Sequence, residues 1–156
     1  DRRQRQMCIR DSIVIVGRRT GYTEKVEQFI KDNGLGERVH IISNVPFNDL
    51  PAFYQLAEIF VYPSRFEGFG IPIIEALYSG TPVVAATGSC LEEAGGPDSI
   101  YVNPDDITGL ADAFKQIYSN SDKRKNMVEK GREFAKRFSE KQQSEEIINI
   151  YKKLIR

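Results

Sequence analysis

The sequence predicts an α/β fold built on a doubly wound parallel sheet. The run Ile13–Val16 is apolar and β-branched and ends at Gly17, which is typical of a strand buried on both faces. Further along the chain, short strand-like runs alternate with segments of helical periodicity, the order in which helices cover a parallel sheet. One predicted helix begins at Pro72 and ends before Gly80, the favoured order for helix termini.

Each element follows from a local pattern. The first helix has apolar residues at helical spacing and closes at Asn33-Gly34, a typical C-terminal cap. The junction at Ser139 has the character of an N-terminal cap. We therefore expect strands at 13–16, 39–42, 59–62, 83–86 and 100–102. Helices are expected at 23–33, 49–56, 72–79, 107–118, 121–138 and 139–155, with an irregular Gly- and Ser-rich stretch between the last two strands.

Composition limits the classes of function. The 156 residues have the length of one domain, and 22 Lys plus Arg balance 22 Asp plus Glu, so no global field favours nucleic acid or an anionic membrane. Cys8 and Cys90 lie far apart without a second ligand nearby, which argues against a disulfide or zinc framework and favours a reducing, cytoplasmic setting. No apolar run approaches the roughly 18 residues of a spanning helix. Peripheral association of the parent protein with the inner face of a membrane stays open; no cofactor, metal or nucleic acid is expected.

The beginning of the chain differs from the rest. Residues 1–12 are basic, show neither helical nor strand periodicity, and break off at the apolar run that follows. We expect a non-native or disordered lead there. A single domain is then expected over residues 13–156.

A candidate site follows the third predicted strand. Ligands of open α/β sheets bind beyond the carboxyl ends of the strands. There, a loop containing Gly68 and Gly70 runs directly into a helix N-terminus, where free amides and the helix dipole favour an anion such as phosphate. Glu67 precedes this loop and Glu75 lies about one turn inside the helix. Both carboxylates can therefore accept hydrogen bonds from hydroxyl groups beside the phosphate position.

The segment from Glu67 to Glu75 resembles the E-x7-E signature of the retaining GT-B glycosyltransferases known as group 1. The similarity extends over about residues 13 to 152 and keeps the order of the family's C-terminal, donor-binding domain, which is Rossmann-like. Further matching runs are 13–17 ("LVIVG" in the family), 39–46, 56–64 ("LADIFVYPS"), 80–86 ("GTPVVAS"), 92–93 and 102–105 ("VDPDD").

The resemblance implies roles for the residues at matching positions. Glu75 would accept hydrogen bonds from the nucleotide ribose, and Glu67 would contact the transferred sugar, as the two catalytic residues. The backbone would bind the sugar and the diphosphate at Gly68, Phe69, Gly70 and Ile71. The main chain of Val45 would contact the base. The implied reaction transfers a sugar from a nucleoside-diphosphate sugar to a glycan or lipid-linked acceptor with retention. This chain would supply donor binding only, and the acceptor would be bound by an N-terminal domain that it lacks.

One departure from the family concerns the start of the domain. The family's domain begins with a strand that ends in a Gly-Arg pair, followed by a lysine, and these cations neutralise the diphosphate. Because Ile13–Val16 aligns better with the family's second strand, Arg18, Arg19 and Lys25 do not inherit those roles. They are expected to be surface charges near a helix start, and an accessory phosphate contact stays open. The central first strand is therefore expected to be missing. Its two neighbours, at 13–16 and 59–62, should leave a gap or pair directly, with exposed apolar edges that favour aggregation.

Other functions are less consistent with the sequence. A nicotinamide-dependent oxidoreductase needs G-x-G-x-x-G after the first strand, whereas Gly17 and Gly21 are too far apart and Gly68-x-Gly70 lacks the third glycine. A GT-B sugar-nucleotide epimerase shares the fold but not the E-x7-E run. A non-catalytic nucleotide-sugar-binding module is the main alternative. UDP and GDP donors both stay open.

The remaining notable side chains have simpler interpretations. His40 lies inside a strand pattern without a partner for a triad or metal, so a structural role is expected. Cys90 is expected to be an inert thiol, and Arg65 is left open between a surface charge and a site contact. Four aromatic residues are expected in the core or at its edge: Phe47, Phe53, Tyr54 and Phe60.

Overall fold

The computed structural model describes residues 12–155, which form parts of two compact units, residues 1–50 and 51–156. The expected non-native or disordered lead lies, apart from residue 12, outside the described residues. The extent of a single domain over residues 13–156 stays a prediction.

The first unit is a β-α-β arrangement. Strand β1 (Ile13–Val16) pairs in parallel with β2 (Val39–Ile42), and helix α1 (Thr23–Asp32) lies between them in the chain. The amide of Asn33 donates to the carbonyl of Phe29 at 3.1 Å, and Gly34 follows with a φ of 65°, so α1 ends where the sequence predicts.

The expected burial of β1 on both faces is wrong. Its four side chains are between 40% and 56% exposed. Within the described residues β1 has one partner strand. A central parallel strand is buried because it has a strand on each side and helices on both faces, and a strand in a two-stranded sheet lacks such neighbours. His40 on β2 is also exposed, and Phe47, expected in or near the core, is 77% exposed in a short 3-10 turn. By contrast, Phe53, Tyr54 and Phe60 are half-buried, as predicted.

The second unit contains a three-stranded parallel sheet. Its strands β3 (Phe60–Tyr62), β4 (Val83–Ala86) and β5 (Ile100–Val102) lie in the order β3-β4-β5. Every residue of the central strand β4 is buried, whereas the edge strands are half-buried. The α/β class with parallel sheets is therefore confirmed.

Helices cover both faces of this sheet. Helix α2 (Leu50–Leu56) precedes β3, and α3 (Ile71–Ser79) follows it and packs with α4 (Leu91–Gly95) around Val83 and Ala85. On the opposite face, α5 (Ile107–Ser119) packs on Val84 through two buried residues, Ala113 and Ile117. Val83 and Ala85 thus lie in one cluster and Val84 between them lies in the other, as the pleat of a strand requires, while Ala86 at the end of β4 also belongs to the first cluster.

The chain ends in helices with polar caps. Helices α6 (Ser121–Ala135) and α7 (Glu140–Leu154) are separated by the 3-10 turn Lys136–Phe138. The Ser139 hydroxyl accepts from the amide of Gln142, so the cap predicted at Ser139 is confirmed.

One sequence expectation about the loops is corrected. The stretch between β4 and β5 is not wholly irregular, because α4 places Leu91 and Ala94, three residues apart, in the core. Strand β1 belongs to the sheet of the first unit and β3 to the sheet of the second, and the gap or direct pairing expected between them stays a prediction. The four side chains of β1 are exposed, and the expected aggregation through exposed apolar edges stays a prediction.

Candidate functional site

The candidate site lies at the carboxyl end of β3, where the chain runs through a short loop into α3. The loop contains Glu67, Gly68 and Phe69 and ends at Gly70, the N-cap of α3. Helix α3 begins at Ile71, one residue before the predicted start, and Pro72 therefore occupies its second position. The sequence-predicted residues of this segment all belong to the second unit.

The two loop glycines differ in what surrounds them. Gly70 has a φ of 100°, and a Cβ atom there would lie 2.8 Å from Cδ2 of Leu91. No larger residue fits without strain. A Cβ at Gly68 would meet nothing within 4 Å, and its φ is not in the left-handed region. No atom of the described residues fills the space beside Gly68, so a ligand could approach the backbone closely there.

The N-terminus of α3 has no capping side chain. Its N-cap, Gly70, has no side chain to cap the first turn, and Pro72 contributes no amide. The amide of Ile73 is bonded within the turn to the carbonyl of Gly70 at 2.9 Å. The helix dipole adds a partial positive charge at this end, which favours a phosphate group.

Glu67 is exposed and is held by the hydroxyl group of Tyr62. The hydroxyl of Tyr62, at the end of β3, donates to Glu67 Oε1 at 2.7 Å. The Ser64 hydroxyl and then the Tyr62 hydroxyl hold the pKa of Glu67 below its ordinary value. Its main-chain carbonyl accepts from the Cys90 thiol at 3.2 Å. The Glu67 carboxylate is thus ionised and accepts hydrogen bonds, and the main chain of this residue is also held in place.

Glu75 is half-buried on α3 and has a tyrosine partner of its own. The hydroxyl of Tyr54 donates to Glu75 Oε2 at 2.8 Å. Burial, and then the adjacent carboxylate, raise the pKa of Tyr54 above its ordinary value, so Tyr54 remains a donor. Each glutamate of the E-x7-E pair therefore has one oxygen engaged by a tyrosine.

Phe69 attaches the loop to the 3-10 turn Lys136–Phe138. Its ring packs edge-on against Phe138, with 5.6 Å between the centroids, and Phe138 packs edge-on against Phe134 at 5.7 Å. The Arg137 guanidinium lies over the rings of Phe134 and Phe138, 5.0 and 5.3 Å from their centroids. These contacts hold the loop in place by aromatic packing.

Two neighbouring loops are fixed by polar contacts. The Arg65 guanidinium binds both carboxylate oxygens of Asp105 after β5, which favours the surface-charge interpretation of Arg65. After β4, Glu92 Oε1 accepts from the Thr87 hydroxyl at 2.6 Å and from the Gly88 amide at 2.9 Å. The loops at the carboxyl ends of all three strands are therefore braced.

The other predicted residues lie in the first unit. Val45 is half-buried in the loop after β2, and its contact with a base stays a prediction. Arg19 forms a bidentate ion pair with Glu27, at 2.7 and 2.8 Å, which agrees with a surface role. Lys25 lies over the ring of Tyr22, 5.8 Å from its centroid.

Sequence reasoning missed the residues that hold the two glutamates. Tyr54 and Tyr62 were expected, at most, to be packing residues or part of a strand, yet both donate to site carboxylates. The contact of Phe69 with Phe138 joins residues 69 positions apart, as the two residue numbers show, so no local pattern indicates it. The spacing of Phe60 and Tyr62, two residues apart on a strand, was the available signal that they share a face.

Over residues 12–155, no helix is long and apolar enough to cross a membrane. The same residues contain no group of three or more side chains arranged to hold a metal ion.

The chain is similar to known proteins. A family model described as Glycosyl transferases group 1 matches residues 7–134. The O-antigen chain mannosyltransferase RfbU of Salmonella typhimurium is 40% identical over 106 residues, 68% of this chain and 30% of that protein. O-antigen chain mannosyltransferase B of Escherichia coli is 33% identical over 147 residues, 94% of this chain and 38% of that protein. The chain thus spans about a third of the length of these relatives.

A solved structure shares the fold. HepE of Anabaena, in complex with UDP-glucose, gives a TM-score of 0.74 at 18% identity, over 87% of this chain and 47% of that one. Parallel strands, covering helices and the loop before α3 define the C-terminal, Rossmann-like domain of a GT-B protein. The chain belongs to the group 1 glycosyltransferase family.

Proposed function

We propose that this chain is the donor-binding part of a glycosyltransferase. The enzyme would transfer a sugar from a nucleoside-diphosphate sugar to a glycan or lipid-linked acceptor with retention of the anomeric configuration. The observation that carries this proposal is the N-terminus of α3, which no side chain caps, preceded by the unobstructed Gly68 and flanked by two tyrosine-bound glutamates. Membership of the group 1 family supports it.

We assign each part of the donor to a part of the site. The diphosphate would lie at the N-terminus of α3, where the dipole and backbone amides of the Gly68–Ile71 segment favour negative charge. Glu75 would accept from the ribose hydroxyls, and Glu67 from the transferred sugar. Val45 would meet the base through its main chain. The reaction would depend on stabilising the departing diphosphate through preorganised dipoles.

Two comparisons bear on the donor's identity. The two curated relatives are mannosyltransferases by name, and the HepE structure contains UDP-glucose. We therefore keep both UDP and GDP sugars as donors to be tested, with mannose and glucose as the first sugars. The acceptor would be bound by residues beyond this chain, and a cytoplasmic enzyme with peripheral membrane contact is part of the same proposal.

The direct test is sugar transfer by a full-length enzyme that contains these residues. Purified enzyme is supplied with UDP, GDP and ADP sugars, and the product linkage is assigned by the anomeric coupling constants in its NMR spectrum. We expect one donor to be used and the donor's anomeric configuration to be kept. Glu75→Ala should cost about 2–4 kcal/mol in kcat/KM, the loss expected for one preorganised contact. An inverted product would refute retention, and an unchanged kcat/KM would remove Glu75 from the site.

The second candidate is a non-catalytic module that only binds nucleotide sugars. The observation that favours it is that this chain spans about a third of the length of two of its relatives, and this part carries the proposed donor site. A full-length enzyme that binds a donor yet transfers no sugar to any acceptor tested would support this second candidate.

A further inference from the structure

A row of three aromatic rings connects the two glutamates of the site. Phe60 and Tyr62, on the same face of β3, stack with 5.9 Å between centroids and 20° between planes. Tyr54 of α2 packs edge-on against Phe60 at 5.2 Å. The tyrosines at the two ends donate to Glu75 Oε2 and Glu67 Oε1, at 2.8 and 2.7 Å. An unbroken series of contacts thus runs from one carboxylate to the other.

We propose that Tyr54 and Tyr62 are positioning residues, which hold the carboxylates of Glu75 and Glu67 in the orientation that accepts hydrogen bonds from the sugar-nucleotide donor. The proposal rests on the proposed function. Each tyrosine engages one named carboxylate oxygen, and an ionised carboxylate has two oxygens with several lone pairs, so acceptor capacity remains for a ligand. A side chain already held in its bound orientation loses less freedom when the ligand arrives.

Both hydroxyl groups come from rigid parts of the fold. The main-chain carbonyl of Tyr54 accepts from the buried Thr81 hydroxyl at 2.5 Å, which ties α2 to the chain just beyond α3. Tyr62 lies opposite Ala85 in the ladder between β3 and β4. Glu67, in contrast, lies in an exposed loop, so its orientation depends on the strand residue that binds it. Groups carried by strands and helices hold a site more accurately than loop residues alone.

The tyrosines act as donors and not as acids or bases near neutral pH. Burial, and then Glu67, raise the pKa of Tyr62 to about 12, and the pKa of Tyr54 is also raised. A protonated tyrosine can only donate to an ionised carboxylate, which fixes the direction of both hydrogen bonds.

The test uses Tyr54→Phe and Tyr62→Phe in the full-length enzyme, because phenylalanine keeps the ring and removes only the hydroxyl. The matched control is Tyr118→Phe on the exposed face of α5. We expect Tyr54→Phe to raise the KM for the donor about tenfold with a smaller change in kcat, since Glu75 is assigned to the ribose. Tyr62→Phe should lower kcat about tenfold, since Glu67 is assigned to the transferred sugar. The control should match the wild type.

A double-mutant cycle separates positioning from packing. If Tyr62 acts through Glu67, Tyr62→Phe should have little further effect in a Glu67→Gln background, and likewise for Tyr54→Phe in Glu75→Gln. Effects that multiply independently, or Phe variants with wild-type kcat and KM, would overturn the proposal. If the proposed function alone failed, the glutamate variants themselves would leave donor binding unchanged, so the two failures are distinguishable.

Discussion

The two loop glycines give a matched pair of substitutions with different consequences. In Gly70→Ala the new side chain would have a φ of 100° and its Cβ would lie 2.8 Å from Leu91 Cδ2. The backbone strain costs about 1–3 kcal/mol and the overpacking a further 1–3 kcal/mol or so. Because the Leu91 side chain can shift, we expect the free energy of unfolding to fall by about 2–4 kcal/mol.

Gly68→Ala should behave in the opposite way. Its methyl group would meet no atom of the protein within 4 Å, so the free energy of unfolding should stay within about 0.5 kcal/mol or rise slightly. Donor affinity should nevertheless fall, because the methyl group would occupy the space in which the ligand approaches the backbone. Urea denaturation and calorimetric donor titration of the full-length variants measure the two effects. Unchanged stability in Gly70→Ala would refute the steric argument, and normal donor affinity in Gly68→Ala would refute the backbone approach.

Three further predictions follow from the site. The isolated 156-residue chain should bind a nucleotide sugar weakly and transfer none of it, which donor titration and a product assay would check; measurable transfer would contradict this. Because the Ser64 and Tyr62 hydroxyls lower the pKa of Glu67, Tyr62→Phe should raise that pKa, and the acidic limb of the pH profile of kcat/KM should move to higher pH. Phe138→Leu should lose the edge-on contact with Phe69, worth about 0.5–1.5 kcal/mol, and weaken donor binding in titrations; an affinity equal to wild type would disprove a bracing role.

The sequence allowed much of the second unit to be predicted. Helix α3 lies between Gly70 and Gly80, both with positive φ, and these are backbone conformations that only glycine adopts readily. β4 is a continuous apolar run and is fully buried, because it is the central strand of its sheet. Local patterns such as the glycines at the ends of α3 depend on short-range sterics, which a single sequence reports directly.

The rest depends on contacts between distant residues. The apolar run of β1 resembles that of β4, yet β1 is exposed, since burial depends on which strands and helices lie on either side of it. The hydrogen bond from Tyr54 to Glu75 joins α2 to α3 across 21 residues, and no spacing rule predicts it. The sequence did not predict the short helix α4, because the Gly and Ser residues around it favour irregular structure and two buried apolar residues are too weak a helical pattern.

The most direct test of the account is titration calorimetry of the preferred nucleotide sugar into the full-length enzyme and its Glu75→Gln variant. Glutamine keeps the size of the side chain and removes its charge, and Glu129→Gln on the exposed face of α6 is the matched control. Losing a hydrogen bond to a charged group costs about 1.5–3 kcal/mol, so we expect donor affinity to fall roughly ten- to a hundredfold in Glu75→Gln. The control should bind like the wild type. Equal donor affinity in all three proteins would contradict the assignment of the donor site to the loop and helix that carry Glu67 and Glu75.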